Sequence, residues 1–416
     1  MTDFSVRIHD DMQDIWRERA ARAAALFGTP HFLVAESDLW SALSDLQQLS
    51  VVSVRHWLSV KTMPCRRLLT AWAERGGSAE VVSPFELQAC LSSGFPPDRI
   101  LVNGVAKHSW LFDCNLAGLR VHLDSTTEAS RLLPIARDNR WRVGLRFHAT
   151  NEVDPDEPSF PTQFGMIAPE LKMACDLASH YKVDIEGLHF HLRSNVRSAQ
   201  EYEDALNELA AISPMLGITP CYIDCGGGFP VLGERSVNGS PFNLEFSETE
   251  VGLVLDRISR LIPSVREIWL ENGRRILSGA GALVLRVLDV KERGACRYLI
   301  CDGGRTNHAL VSDWERHDII AVPRRTGSQC PTTICGPTCM AFDHLARVGL
   351  PEDTREGDLI VWMNAGAYHV PWETRFSFGY ATVLWLEESG KISIARSKET
   401  FESWWGQWSQ AQGSSP

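Results

Sequence analysis

Short apolar runs alternate with longer amphipathic stretches through most of this chain. The runs have the length and composition of buried strands, and the stretches between them carry apolar residues at helical spacing. The predicted strands are 31–35, 57–60, 79–82, 100–103, 120–124, 142–147, 186–192, 221–225 and 267–271. Strands joined by helical crossovers pair in parallel, and roughly eight such units in about 250 residues make a (β/α)8 barrel. The pattern therefore predicts an α/β protein built on a TIM-like barrel, with a doubly wound open sheet as the alternative.

The pattern changes after about residue 282. From there on, turn residues rather than amphipathic helices separate the apolar stretches, which is typical of a mainly β domain. These stretches include 282–290, 297–301, 359–363, 381–387 and 392–395. We therefore expect a barrel domain over residues 30–282 and a β domain over residues 283–416.

Charge and composition restrict the partners. A net charge of -11 and a pI near 5.7 argue against nucleic acid or an anionic membrane surface, and favour a small-molecule ligand. The acidic N-terminal segment lacks the basic start and apolar core of a signal peptide, and no apolar run approaches the roughly 20 residues that span a bilayer. The 11 cysteines are spread along the chain, as expected for free thiols in a reducing compartment. We expect a cytoplasmic protein.

Four potential zinc ligands lie close together near residue 335. They are Cys330, Cys335, Cys339 and His344. Their spacing is not paired as in a zinc ribbon or finger, and Pro337 separates two of them, so we expect no metal site here.

Unusual residues follow many of the predicted barrel strands. Because the carboxyl ends of all barrel strands open on one face, residues there converge in space. They are Lys61, Glu80, Arg146, His189, His191, Ser194, Gly226, Gly227, Gly228, Glu271, Asn272, Gly273 and Arg274. The strand ends thus predict one site that combines an amine, imidazoles, a glycine-rich turn, carboxylates and guanidinium groups.

Lys61 follows the apolar run 57–60 and precedes a helical segment that begins near Pro64. A lysine in an apolar mouth loses hydration, which favours a neutral, nucleophilic amine. The alternative is a solvated lysine at the tip of a strand.

A second group of residues is suited to an anion and an aromatic ring. Successive glycines at 226–228 let backbone N–H groups approach a phosphate, and Arg274 could supply a guanidinium, although such a turn is as often merely tight. Glu271 could keep a pyridine nitrogen protonated, and His191 could stack on the ring or be an ordinary core histidine. With Lys61, these groups are what pyridoxal phosphate (PLP) requires.

The chain resembles the barrel-type (fold type III) PLP-dependent decarboxylases that act on ornithine, diaminopimelate, lysine or arginine. The resemblance extends from about Gly28 to about Gly379 and is carried by six ordered motifs. They are Ser59–Pro64, Gly187–Ser194, Gly226–Gly228, Glu271–Arg274, Cys335–Cys339 and Asn364–Tyr368. Asn272 departs from the proline that is usual in the fourth motif.

The resemblance implies a role for each matched residue. Lys61 forms the Schiff base with the cofactor, His191 stacks on its ring, and Glu271 meets its nitrogen. Residues implied to bind the phosphate are Ser194, Gly226, Gly227, Gly228, Gly273, Arg274 and Tyr368. The family also implies a homodimer with two shared active sites, in which Cys339 reaches the neighbouring subunit's site and acts catalytically. Residues 1–29 would join the β domain.

The chain departs from the family on the substrate side. Met340 follows the motif cysteine where an acidic residue usually receives a distal amino group, and a thioether cannot pair with an ammonium group. The arginine that diaminopimelate enzymes use for a distal carboxylate is not apparent, and Leu310 is the residue nearest that place. Asp313 is a candidate substrate contact, and Met340 could also be plain core filler.

These observations predict a PLP-dependent decarboxylase that removes the α-carboxylate of an amino acid. Met340 and the missing arginine further predict that free ornithine and diaminopimelate are poor substrates. One alternative is an amino-acid racemase or epimerase, which uses the same barrel and cofactor. Another is a catalytically inactive regulatory homologue.

Overall fold

The computed structural model of the chain describes residues 2–153, 159–231, 233–308 and 311–409, with side chains from residue 11 onward except those of residues 312 and 313. The strands are β1 (His31–Ala35), β2 (Ser53–Ser59), β3 (Ser78–Val81), β4 (Ile100–Val102), β5 (Arg120–Leu123), β6 (Arg142–Arg146), β7 (Ile185–His189), β8 (Tyr222–Asp224), β9 (Arg235–Ser236), β10 (Glu267–Leu270), β11 (Gly281–Arg293), β12 (Cys296–Cys301), β13 (Glu315–Arg316), β14 (Ile319–Val322), β15 (Gln329–Cys335), β16 (His344–Pro351), β17 (Leu359–Trp362), β18 (Thr382–Leu386) and β19 (Ile392–Arg396). The α-helices are α1 (Thr2–Phe27), α2 (Glu36–Gln47), α3 (Arg66–Glu74), α4 (Pro84–Ser92), α5 (Thr126–Asn139), α6 (Ala168–Tyr181), α7 (Ala199–Leu216), α8 (Glu248–Leu255), α9 (Ile258–Leu261), α10 (Gly273–Leu277), α11 (Val311–Trp314) and α12 (Phe401–Gly406). Single-turn 3-10 helices are Val60–Thr62, Pro97–Arg99, Lys107–Ser109, Ser278–Ala280 and Arg305–Asn307.

These elements divide between two compact units. The barrel unit comprises Ser41–Leu232 and Phe242–Ile276, and the β unit comprises Met1–Trp40, Gly233–Pro241 and Leu277–Pro416. Within the described residues, no helix combines the length and apolar character needed to cross a membrane.

The barrel unit is a closed sheet of parallel strands in the order β10-β2-β3-β4-β5-β6-β7-β8. Helices α3 to α9 lie between its strands in sequence, as expected for parallel crossovers. The predicted (β/α)8 barrel is confirmed.

Aromatic side chains fill the interior of the barrel. Trp57, Leu101, Tyr222 and Trp269 form one buried cluster, in which the Tyr222 and Trp269 rings stack with centroids 3.4 Å apart. A Cβ at Gly187 would lie 2.1 Å from the Tyr222 ring, so only glycine fits opposite it. The interior is therefore a packed core, and a functional site is expected at the carboxyl ends of the strands instead.

The β unit is built on a mixed sheet with the path β16-β15-β12-β11-β1-β18-β19, to which β17 and β14 add through β11. Helix α1 covers it, with Trp16 and Ala20 in the same buried cluster as Leu33 and Val284. The predicted mainly β domain is confirmed.

Strand β1 lies in the β unit, although the sequence pattern assigned it to the barrel domain of residues 30–282. Its residues pair in parallel with β18, where His31 meets Thr382, and antiparallel with β11, where His31 meets Val284. Both partners lie more than 240 residues later in the chain, so the local apolar pattern of the strand does not reveal its sheet.

Candidate active site

The residues assigned to a site from the sequence lie in both units. The barrel unit contains Lys61, His191, Ser194, Gly226, Gly227, Gly228, Glu271, Gly273 and Arg274, and the β unit contains Cys339, Met340 and Tyr368. The side chain of Asp313 and the whole of Leu310 lie outside the described residues.

Lys61 lies just beyond the carboxyl end of β2, in the 3-10 turn Val60–Thr62. Its Nζ is 3.7 Å from Oε2 of Glu80 on the adjacent strand β3, and its side chain is 46% exposed while that of Glu80 is buried. Ser59 Oγ donates to the same Glu80 oxygen at 2.6 Å, which holds this carboxylate in place. Of the two environments that the sequence left open, the lysine therefore lies nearer to the solvated one, in a polar and half-exposed position.

The glycine turn after β8 packs tightly against the segment after β7. Gly226 and Gly228 have φ of 66° and 101°, and a Cβ at these positions would lie 2.5 Å from His191 Nδ1 and 2.1 Å from the Arg193 carbonyl oxygen. The N–H of Gly226 donates to Asp224 Oδ1 at 2.9 Å, and that of Gly227 donates to His191 Nδ1 at 3.1 Å. The turn thus orients two side chains, and its predicted contact with a phosphate stays a prediction.

His191 is held as a neutral ring. Burial, and then the positive charge of Arg146, lowers the pKa of His191 well below its usual range. Because Nδ1 accepts the Gly227 N–H, the ring proton resides on Nε2. An uncharged imidazole in a fixed orientation is suited to stacking on a planar cofactor ring.

The turn after β10 packs directly beside Lys61. A Cβ at Gly273 would lie 2.1 Å from Oγ1 of Thr62, so this residue must be glycine for the two turns to meet. Asn272 Oδ1 accepts the Phe229 N–H at 3.4 Å, and Arg274 is buried. The segments after β2, β8 and β10 are thereby joined at one end of the barrel.

Sequence reasoning missed three residues that surround Glu271. Asn103 Nδ2 donates to Glu271 Oε1 at 2.8 Å, and burial followed by the nearby negative charge of Asp224 raises the pKa of Glu271 well above its usual range. His122 lies with them, since one ligand atom from each of His122, His189, Asp224 and Glu271 lies within 4.8 Å of the others. The available signal was positional, because each missed residue is a polar side chain in or directly after a predicted barrel strand.

A second buried carboxyl group lies near the end of β6. Glu152 Oε1 accepts hydrogen bonds from Arg146 Nη2 and from Thr162 Oγ1, each at 3.0 Å. Burial outweighs these favourable contacts and raises the pKa of Glu152 to about 7.

Stability should fall with rising pH because of Glu152. A raised native pKa means that the folded chain binds more protons than the unfolded chain, so this stabilisation is complete below about pH 4.5 and lost as pH rises through 7. In the wild type, the free energy of unfolding should decrease by at most ~3 kcal/mol between pH 5 and 8 because of Glu152. Glu152→Gln should not show this decrease, as measured by urea unfolding of the cofactor-free protein. Asp176→Asn, at an exposed site, should leave the pH slope unchanged; equal slopes for wild type and Glu152→Gln would contradict this assignment.

Comparisons with known proteins agree with this geometry. The family model described as pyridoxal-dependent decarboxylase, pyridoxal binding domain, matches residues 40–278. The chain is 30% identical over 367 residues to diaminopimelate decarboxylase of Actinosynnema pretiosum subsp. auranticum, which covers 84% of this chain and 82% of that protein. It is 25% identical over 393 residues to diaminopimelate decarboxylase of Aquifex aeolicus, covering 91% of each. Diaminopimelate decarboxylase from Helicobacter pylori complexed with L-lysine shares the fold, with a TM-score of 0.76 at 22% identity over 91% of this chain and 96% of that one.

The residues at the strand ends fit the cofactor of this family. They include a lysine amine at the end of β2, a neutral oriented imidazole, and a buried carboxyl group with its own hydrogen-bond donor. These are the groups that bind a pyridoxal ring covalently, stack on it and interact with its nitrogen. The comparisons favour neither the racemase nor the inactive regulator. The chain therefore belongs to the pyridoxal-dependent decarboxylases, which are carboxy-lyases that use pyridoxal phosphate.

Proposed function

We propose that this protein removes the α-carboxylate of an amino acid, with Lys61 as the residue that binds the cofactor covalently. The observation that carries the proposal is the convergence of Glu271, Lys61 and Glu80 on three neighbouring strands, β10, β2 and β3. Lys61 Nζ faces Glu80 at 3.7 Å, and the turn that carries Glu271 packs against Thr62. An amine and two carboxyl groups are thus fixed by adjacent elements of a rigid barrel.

Pyridoxal phosphate, when bound, supplies a ring that accepts the electrons released by loss of CO2. Glu271 is assigned to the ring nitrogen, and His191 is assigned to the ring face. The residues assigned to the phosphate are Ser194, Gly226, Gly227, Gly228, Gly273, Arg274 and Tyr368. Lys61, in its half-exposed position, can reach a ligand from solvent without rearrangement of the buried core.

The proposal includes a homodimer in which Cys339 of one subunit donates a proton in the neighbour's site. Its support is the family resemblance together with the position of Cys339, an exposed free thiol beyond the end of β15. Mixing inactive Lys61→Ala subunits with inactive Cys339→Ala subunits should restore activity, because one mixed site is intact. Failure of such mixtures to regain activity, with subunit exchange verified, would contradict shared sites.

Two arguments about the substrate point in different directions. The relatives are named diaminopimelate decarboxylases, which suggests an amino acid with a charged distal end. Met340, half-buried in the β unit, replaces the acidic residue that would pair with a distal ammonium group. The prediction that free ornithine and diaminopimelate are poor substrates rests on that replacement and on the missing arginine near Leu310.

A screen for CO2 release tests both the reaction and the substrate prediction. The purified protein with added pyridoxal phosphate should release CO2 from at least one α-amino acid, with less than about a tenth of that kcat/KM on ornithine and diaminopimelate. Optical rotation of the remaining substrate, followed in parallel, separates decarboxylation from racemisation. Efficient turnover of diaminopimelate would refute the substrate prediction, and loss of rotation without CO2 release would refute the reaction.

A further inference from the structure

Asn103 is a buried polar residue at the carboxyl end of barrel strand β4. It directly follows this strand and is 4% exposed. Its backbone N–H donates to the carbonyl oxygen of Val81, the last residue of the neighbouring strand β3, at 2.8 Å. Asn103 is therefore anchored to two strands of the closed barrel, which is a rigid support for a functional side chain.

Three contacts fix the orientation of the Asn103 side-chain amide. Its Oδ1 accepts the backbone N–H of Gly104 at 3.0 Å. Its Nδ2 donates to Glu271 Oε1 at 2.8 Å and is directed towards His189 Nε2 at 3.3 Å. Because a backbone N–H can only donate, the amide oxygen must face Gly104 and the amide nitrogen must face Glu271. Asn103 is thus a hydrogen-bond donor to this carboxyl group.

The carboxyl group of Glu271 needs such a partner to keep one direction. The last side-chain torsion of glutamate is broad and is not confined to a staggered well, so the chain alone does not fix where the two oxygens point. Glu271 is 8% exposed, and a buried polar group that lacks a hydrogen bond is costly. The bond from Asn103 to Oε1 therefore both satisfies this oxygen and sets the plane of the carboxyl group.

Asn103 also favours the ionised form of Glu271. Burial, and then the negative charges of Asp224 and Glu80, raise the pKa of Glu271 well above its usual range. A hydrogen bond donated to a carboxylate stabilises its charged form and so acts in the opposite direction. Because an amide is uncharged, it does this without the positive charge of a lysine or an arginine, which would repel a protonated ring nitrogen. An amide donor therefore leaves the negative charge of Glu271 available to a ligand.

We propose that Asn103 is a positioning residue, whose amide holds Glu271 ionised and oriented so that this carboxylate pairs with the ring nitrogen of pyridoxal phosphate. The inference rests on the proposed function for the assignment of Glu271 to that nitrogen. Asn103 acts through Glu271 and does not itself contact the cofactor. Its removal should therefore weaken recognition of the ring nitrogen specifically, and not binding of the cofactor as a whole.

Two cofactors that differ only at the ring nitrogen separate these effects. The cofactor-free protein is titrated with pyridoxal phosphate and with its carbocyclic analogue, in which a C–H group replaces the ring nitrogen, and each Kd is measured by absorbance. Asn103→Leu has the same number of heavy atoms but no donor, and it should weaken binding of pyridoxal phosphate by about tenfold or more. Binding of the analogue should change by less than about twofold, because the analogue has no nitrogen for Glu271 to meet.

Asn139→Leu is the matched control. Asn139 is a partly buried asparagine at the end of α5, where its Nδ2 donates to the carbonyl oxygens of Cys114 and Ile135 at 3.4 and 3.2 Å, and its loss should change neither Kd. In a Glu271→Gln background, Asn103→Leu should no longer discriminate between the two cofactors. If Asn103→Leu does not fold, Asn103→Ala leaves room for a water molecule and should show the same selective loss in the ratio of the two Kd values.

Three results would overturn the proposal. They are an equal loss of affinity for both cofactors in a folded Asn103 variant, an undiminished selective loss in the Glu271→Gln background, and equal affinity of the wild type for both cofactors. Each of them, found together with normal CO2 release, would leave the decarboxylase assignment intact. The expected selective loss without CO2 release would support Asn103 and refute the reaction, because binding needs no turnover. A wild type that binds neither cofactor would refute both.

Discussion

Replacing Lys61 by alanine should abolish covalent attachment of pyridoxal phosphate and lower kcat by about 10³-fold or more. Lys61 lies just beyond the carboxyl end of barrel strand β2, with its Nζ 3.7 Å from Oε2 of Glu80. After reduction with borohydride, mass spectrometry should find the cofactor on the tryptic peptide that contains Lys61 in wild type. The variant should show neither that adduct nor the visible absorbance of lysine-bound cofactor.

The control for this experiment is Lys172→Ala. Lys172 is a half-exposed lysine on α6 that pairs with Asp176 one turn later, so its removal should leave both the adduct and kcat unchanged. An adduct on another lysine in wild type, or wild-type absorbance in Lys61→Ala, would contradict the assignment of Lys61.

Lys107→Met should destabilise the protein by about 3–5 kcal/mol. The side chains of Lys107 and Glu128 are both fully buried, with Nζ and Oε2 2.7 Å apart. Glu128 also accepts the backbone N–H groups of Lys107 and Asp124 at 2.8 and 2.9 Å, so it stays in place when the lysine is lost. The methionine variant therefore leaves a buried negative charge without its cation, which urea unfolding of the cofactor-free protein should detect.

A second substitution separates charge from packing. Lys107→Met combined with Glu128→Gln removes both charges and should recover part of the lost stability, since no charge remains buried. Lys172→Met, which breaks an exposed pair on α6, should cost less than about 1 kcal/mol. If the free energy of unfolding of the double variant is lower than that of Lys107→Met, the loss reflects packing rather than an uncompensated buried charge.

The barrel was predictable because its signals are local. A buried strand has an apolar run of limited length, and a crossover helix has apolar residues at helical spacing. Lys61 and Glu271 then stood out as charged residues directly after such runs. The sequence left both an apolar and a solvated environment open for Lys61, and the structure shows a half-exposed lysine with Glu80 of the neighbouring strand 3.7 Å from its Nζ.

Features that depend on which strands pair with one another were not predictable from the sequence. Strand β1 has the same apolar character as the barrel strands, yet it lies between β18 and β11 in the other sheet. His122 and Asp224 are polar residues in β5 and β8 that meet only because the register of the closed barrel aligns them. Asn103 belongs to the site because its side-chain amide donates to Glu271, a contact that the sequence does not reveal.

The fold class and the family could be predicted from the sequence alone, because each depends on short segments whose residue types are informative on their own, and the role of Lys61 stays a prediction made on the same basis. The tertiary structure decided which polar side chains surround Glu271, and it is their proximity together with burial that raises the pKa of this carboxyl group well above its usual range. The physical reason is that a protonation state depends on burial and on neighbouring charges. Those neighbours come from strands that are far apart in sequence and adjacent only in the folded barrel.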